Sequence, residues 1–146
     1  MIEQLREELE ADEGCMRKTY LDHLGLKTVG IGHLCKKGDP EFDMEIGTPV
    51  SEERVAELFA KDIGWTISDC QKLVPDFDML PEEVQLILAN MMFNMGINRM
   101  SKFQRLLAAI EERVWGKAAD EMLDSKWATQ VPARSGRLVA RMRALA

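Results

Sequence analysis

Residues 12–33 read DEGCMRKTYLDHLGLKTVGIGH. This stretch passes from a charged, helix-forming segment into residues that favour strands, and a turn is predicted near Gly25. It places Glu13, Asp22 and Thr28 around that turn, with eight residues between the first two and five between the last two. Hydrolysis of a glycosidic bond needs one acid to protonate the leaving oxygen and one base to activate water. The stretch therefore predicts a helix, a hairpin and a candidate hydrolytic site, although spacing alone favours reading both carboxylates as ordinary surface charges.

Outward from this stretch the pattern is helical. Apolar residues at helical spacing predict helices over 2–13, from Ser51 to Val74, from Pro81 to Gly96, and at about 100–112, 115–124 and 134–145. Gly64 lies in the middle of the longest helix, where it predicts close packing or a bend. The predicted fold is α+β and mostly helical. A small β-hairpin lobe and a larger helical lobe are joined by the long helix, with an active-site cleft between them.

Composition and charge exclude several classes. The chain has 146 residues, 46% hydrophobic and 30% charged, which is typical of one globular domain. A formal net charge of −6 argues against general nucleic-acid binding. No apolar run suggests a membrane anchor or signal peptide, so synthesis in the cytoplasm is expected. The last 21 residues carry five cations and no acid. These cations either attract an anionic envelope or pair with the acidic body.

Other chemistries have weaker support in the sequence. The three cysteines, Cys15, Cys35 and Cys70, are an odd number with no paired spacing, which favours reduced thiols. Cys35 and His33 could share a strand face, but no third group orients a thiol nucleophile. Neither a zinc spacing nor a dinucleotide fingerprint is present. No metal and no cofactor are therefore predicted.

The motif as a whole resembles a known family. DEG, followed by Tyr20, Asp22, Gly25, Thr28 and the run VGIGHL, resembles the catalytic segment of the phage-type lysozymes, the endolysin muramidases. NMMFNMG at 90–96 is similar to the central helix of that family. Further positions are similar to its C-terminal pattern: Trp115, Ala118, Ala119, Trp127, Gln130, Pro132, Arg134 and Arg137.

The resemblance implies a role for each matching residue. Glu13 would be the general acid, Asp22 would activate water and Thr28 would orient it. The remaining positions are substrate contacts and supporting residues. Gly32, Leu34 and Phe93 are the expected sugar contacts, Arg134 is expected to pair with the acid, and His33 with Asp62 is expected to tie the hairpin lobe to the long helix. The chain departs from the best-known members at two cleft positions, where it has Leu106 and Glu121.

The implied function is hydrolysis of the β-1,4 bond between N-acetylmuramic acid and N-acetylglucosamine in bacterial peptidoglycan, with inversion. One lysozyme-like domain would cover residues 1–146, with a small lobe at about 13–60 and a helical lobe at about 61–146 on which helix 1–12 packs. The enzyme would be a monomer. It would act on the cell wall after release through a pore-forming partner, a holin. The alternatives are a non-catalytic peptidoglycan- or saccharide-binding module on the same fold, and a helical interaction protein.

Overall fold

The computed structural model describes all residues from 1 to 146. It has eight α-helices and a three-stranded antiparallel sheet in the order β1-β2-β3, so the predicted α+β, mostly helical class is confirmed. The helices are α1 (Ile2–Glu13), α2 (Glu52–Leu73), α3 (Glu82–Met95), α4 (Ile97–Met100), α5 (Gln104–Glu111), α6 (Trp115–Leu123), α7 (Lys126–Gln130) and α8 (Pro132–Arg143). The strands are β1 (Met16–Leu21), β2 (Lys27–Gly30) and β3 (His33–Leu34).

The chain divides into two compact units, residues 2–65 and residue 1 with residues 66–146. The helix α2 is continuous through this division. Its first turn is capped by Ser51, whose hydroxyl accepts from the Arg54 amide at 3.1 Å, as predicted. Gly64 is exposed and has open space where a Cβ would stand, so the predicted close packing there is wrong. The lobe boundaries expected from the sequence stay a prediction.

In the first unit the sheet is enlarged by the segment that follows it. Thr19 is fully buried, and its amide donates to the Thr48 carbonyl at 3.0 Å while its hydroxyl donates to the Glu45 carbonyl at 2.7 Å. Lys27 on β2 donates to the Phe42 carbonyl at 2.7 Å. These bonds fix residues 42–48 against β1 and β2, although the sequence predicted this region only as a loop.

A buried ion pair fixes the same connection to α2. Glu41, in a 3-10 helix over Pro40–Asp43, is only 2% exposed. It accepts from Arg54 Nη2 at 2.8 Å and from Arg54 Nε at 3.1 Å. A charge this deeply buried requires such a partner, because leaving it unpaired would cost several kcal/mol. Arg54 also donates to the exposed Glu57 at 2.8 Å.

In the second unit α3 is the centre of the core. Nine of its residues are buried, including the predicted methionine stripe of Met91, Met92 and Met95. The helix starts at Glu82 with Pro81 as its N-cap, one residue later than predicted, and Gly96 ends it with φ +79°, as predicted. The remaining helices supply the other large buried side chains of this unit, among them Met100, Leu106, Ile110, Met122, Trp127, Leu138 and Met142.

Two polar networks cross this second core. The Trp127 indole donates to Asn94 Oδ1 at 2.8 Å, and Arg134 Nε donates to Asn90 Oδ1 at 2.8 Å. Each bond gives a hydrogen-bond partner to a polar group that the packing shields from water. No helix of the chain has both the length and the apolar character needed to cross a bilayer.

Candidate active site

The predicted acid, Glu13, is the last residue of α1 and is half-buried. It packs directly on the turn between β2 and β3. A Cβ built on Gly32 would lie 3.1 Å from Glu13 Oε2 and 3.3 Å from Glu13 Cβ and Cδ. Gly32 also has φ +64°, a conformation that other residues adopt only at a cost. Two constraints therefore require glycine at position 32, the second glycine of VGIGH. One is its left-handed backbone, and the other is the close approach of the Glu13 side chain.

The predicted base, Asp22, lies at the tip of the β1–β2 hairpin. Its Oδ1 accepts from the Leu24 amide at 2.8 Å and from the Leu26 amide at 2.9 Å. The main chain closes the same turn, since the Asp22 amide donates to the Leu26 carbonyl at 2.9 Å. Both side-chain bonds use one carboxylate oxygen. The other oxygen, Oδ2, can therefore receive a proton without breaking the turn.

Thr28 lies opposite Tyr20 on β1 and opposite Leu34 on β3. Residues that pair across neighbouring strands point to the same face of a sheet, so these three side chains form one row. Thr28 is 4% exposed, and its hydroxyl donates to the Leu26 carbonyl at 3.0 Å. Because its proton is used in this way, the Thr28 oxygen is available as an acceptor. Leu34 is 44% exposed on the same face.

Tyr20 lies within electrostatic range of both the predicted acid and the predicted base. Its pKa is raised, first by burial and then by the negative charges of Glu13 and Asp22. Charges act on one phenol in this way only when they are near it. Both predicted carboxylates therefore lie close enough to Tyr20 to act on it electrostatically. Tyr20 belongs to the motif that predicts the site, but its position in the sequence indicated no role for it.

The predicted contact between His33 and Asp62 is present, with Nδ1 2.6 Å from Asp62 Oδ2. A second carboxylate, Asp39, lies 2.9 Å from Nε2 and also accepts from the Lys36 amide. Burial alone would lower the pKa of His33, but the hydrogen bonds to the two carboxylates outweigh it, so the pKa is raised. Asp39 was not predicted from the sequence, because it lies between the glycine and proline of a predicted loop.

Phe93 and Arg134 belong to the helical unit. Phe93 is half-buried on α3. Arg134 on α8 is 7% exposed, and besides the bond to the Asn90 side chain its Nη2 approaches the Asn90 carbonyl at 3.4 Å. Asn90 therefore orients this guanidinium, a role that the sequence analysis did not assign. The pairing of Arg134 with the acid stays a prediction.

Leu106 and Glu121, where the chain departs from the family pattern, both line a cavity of about 540 Å³ in the helical unit. Leu106 is 1% exposed, so it contributes to the core as well as to the cavity wall. The other lining residues come from α4, the α4–α5 connection, α5, and the segment from α6 into α7. The cavity is therefore formed entirely by helices and their connections.

Comparison with known proteins identifies related chains. The family model described as phage lysozyme matches residues 10–144. A probable T4-type lysozyme 2 of Dictyostelium discoideum is 34% identical over 159 aligned positions, which cover 96% of this chain and 94% of that protein. The pre-baseplate central spike protein Gp5 of Enterobacteria phage T4 is 33% identical over 92% of this chain and 26% of its own length. The peptidoglycan hydrolase gp36 of Pseudomonas phage phiKMV is 32% identical over 94% of this chain and 15% of its own length.

Proposed function

The chain belongs to the phage lysozyme family and is a glycoside hydrolase, and we propose that it cleaves the β-1,4 bond between N-acetylmuramic acid and N-acetylglucosamine in bacterial peptidoglycan. The single observation that carries the proposal is that two carboxylates, Glu13 and Asp22, both act electrostatically on Tyr20. A related protein that covers 94% of this chain is itself named a peptidoglycan hydrolase. Glycosidases use a pair of carboxyl groups in this chemistry, one on each side of the scissile bond.

In the proposed reaction Glu13 gives its proton to the glycosidic oxygen as the bond to the anomeric carbon breaks. A water molecule attacks that carbon from the opposite face, and Asp22 Oδ2 takes the proton that the water loses. The Thr28 oxygen accepts the second hydrogen of the water, because its own proton is used by the Leu26 carbonyl. With both hydrogens held by acceptors, the water directs a lone pair at carbon. This geometry favours inversion, which requires room for water between the carboxyls.

Supporting residues complete the proposal. Leu34, on the same sheet face as Thr28, and Phe93 would contact the sugar rings, while Gly32 allows close approach at the acid. Arg134 would act on Glu13 electrostatically, and His33 with Asp62 would hold β3 on α2. The enzyme would work as a monomer without a cofactor. It would be made in the host cytoplasm and reach the wall after release through a holin.

Product analysis tests this proposal. Digested peptidoglycan is reduced with borohydride and hydrolysed in acid, and the sugar alcohols are then identified. We expect muramitol, because cleavage after N-acetylmuramic acid leaves that sugar at the new reducing end. Proton NMR during the first minutes should show the α-anomer. Glucosaminitol would overturn the bond assignment, the β-anomer would overturn inversion, and the absence of new reducing ends would favour the non-catalytic binding module.

A further inference from the structure

The hairpin between β1 and β2 ends in three exposed leucines. Leu24 in the turn is 70% exposed, Leu21 at the end of β1 is 54% exposed, and Leu26 just before β2 is 45% exposed. We call this end of the hairpin, residues 21–27, the hairpin tip. Large apolar side chains exposed as a group mark surfaces that contact another protein or a membrane.

The leucines surround the hairpin tip instead of lying on one face of it. Leu21 lies opposite Lys27, so these two side chains share a face of the ribbon. Leu26 precedes Lys27 and points to the other face, because successive side chains along an extended chain alternate. Leu24 lies in the turn between the two strands. A flat protein surface covers only one of these faces, whereas a fluid surface can surround the whole tip.

Lysines lie at the same end of the sheet. The Cys35 amide donates to the Lys27 carbonyl at 3.0 Å, so the chain that leaves β3 runs beside Lys27 towards the hairpin tip. Lys36 and Lys37 follow directly, are exposed and form none of the ion pairs seen in the structure. Lys27 donates to two main-chain carbonyls. Against these three cations the hairpin tip has one acid, Asp22.

The other exposed acids near the sheet lie away from Lys36 and Lys37. Asp43 lies between the two residues whose carbonyls accept from Lys27, so it offsets part of that charge. Glu45 belongs to the same segment, which bonds to β1 at one edge of the sheet. Lys36 and Lys37 follow β3, at the opposite edge. Their positive charge is therefore left for an anion outside the chain.

The composition of this surface favours a lipid bilayer over a protein partner. Protein interfaces are enriched in Trp, Tyr and Arg and depleted in Lys, and Leu is under-represented among their hot spots. Surfaces that lie on membranes combine apolar side chains, which enter the boundary of the acyl chains, with lysines that attract anionic head groups. Three leucines beside two free lysines match the second pattern.

We propose that the hairpin tip, together with Lys36 and Lys37, docks the protein reversibly on lipid bilayers that carry anionic head groups. The leucines enter the boundary between head groups and acyl chains, and the lysines stay at the head-group phosphates. Because the net charge of the chain is −6, attraction depends on this end facing the bilayer. Binding should weaken as salt rises. No step of the proposed hydrolysis enters this inference.

Flotation with lipid vesicles at low salt tests the proposal. The wild type should bind vesicles made of equal parts phosphatidylglycerol and phosphatidylcholine, and should not bind vesicles of phosphatidylcholine alone. Lys36→Gln/Lys37→Gln should lower the partition coefficient about 5- to 30-fold, because each lysine near an anionic surface contributes a several-fold factor. Leu24→Ser should lower it about tenfold, because its apolar contact is lost.

The matched controls are Lys72→Gln/Lys117→Gln and Leu123→Ser, which change the same residue types at exposed positions of the helical unit. Both should bind like the wild type. Three results would each overturn the proposal: no binding to the anionic vesicles, equal binding to both kinds of vesicle, or losses in the controls as large as those in the hairpin variants.

Two further measurements identify what covers the leucines. Brominated acyl chains should quench the added fluorescence of Leu24→Trp more strongly than that of Leu123→Trp, and equal quenching would show that the hairpin tip does not enter the bilayer. Sedimentation velocity without lipid should show the same species for wild type and Leu24→Ser. A wild-type dimer that Leu24→Ser dissociates would assign the leucines to a second copy of the chain and overturn the proposal.

Discussion

At the residue scale, the chemistry of the candidate site depends on which donor and acceptor atoms already form hydrogen bonds within the protein. Asp22 commits one carboxylate oxygen to two amides of its own turn, and Thr28 commits its proton to a carbonyl of the same turn. The second carboxylate oxygen of Asp22 and the hydroxyl oxygen of Thr28 can therefore both accept a hydrogen bond. Glu13 is held against the backbone of Gly32. The folded hairpin thus fixes the orientation of these groups. The sequence alone shows only how many residues separate them.

Gly32→Ala tests the contact with the acid. Alanine in this left-handed backbone conformation should lower the free energy of unfolding by about 1–2 kcal/mol. Its methyl group should also displace the Glu13 side chain. A displacement of about 1 Å in a catalytic group can reduce turnover about 100-fold. We therefore expect kcat to fall by about 10- to 100-fold. Both quantities are measured, by chemical unfolding and by release of reducing ends.

Gly47→Ala is the control, because Gly47 also has a positive φ but has open space where the Cβ would stand. It should lose stability and keep its kcat. If Gly32→Ala retains the turnover of Gly47→Ala, the contact between Gly32 and Glu13 does not matter for catalysis.

At the scale of elements, the sequence predicted the long helices and the hairpin because their signals are local. Apolar periodicity, the Ser51 cap and the Gly96 terminus predict α2 and α3 within about a residue of their observed ends. The short helices α4 and α7 were missed because four or five residues carry too little periodicity. The bonds of Asp39 and Glu41 to distant residues were missed for another reason. They exist only after the connection folds back on α2.

The three-residue contact of His33, Asp39 and Asp62 makes the stability of this unit depend on pH. The raised pKa of His33 means that its contribution is complete below the ordinary value of 6.5 and is lost as pH rises through the folded value. For Asp39, burial would raise the pKa, but the bonds from His33 and the Lys36 amide outweigh it and lower the pKa. Its contribution is therefore complete above the ordinary value of 3.8 and is lost as pH falls through the lowered value.

We therefore expect the contribution of this contact to the free energy of unfolding to be greatest between about pH 4 and 6.5 and to decline as the pH rises further. Asp39→Asn should flatten the decline, because the His33 pKa then moves back towards its ordinary value. Urea unfolding across this pH range measures the effect. Asp43→Asn, an exposed position in the 3-10 helix that follows Asp39, should keep the wild-type profile. An unchanged slope in Asp39→Asn would contradict the assigned role.

At the scale of the whole molecule, the position of each charge is more informative than the net charge of −6. The cationic C-terminal segment could have attracted an anionic envelope. However, Arg141 pairs with Glu83, and Arg143 lies 2.9 Å from Asp120. The alternative reading, that these cations pair with the acidic body, is therefore confirmed for both residues.

The most direct test of the central claim compares wild type, Glu13→Gln and Glu10→Gln on Gram-negative cells with a permeabilised outer membrane, following the fall in turbidity. Glu10 is exposed on the same helix and provides the matched loss of charge. Glutamine cannot give a proton to the leaving oxygen, so Glu13→Gln should fold normally and clear the cells about 100- to 10,000-fold more slowly. Wild type and Glu10→Gln should clear them alike. Clearing by folded Glu13→Gln at the wild-type rate would contradict the account, because the acid would then lie elsewhere.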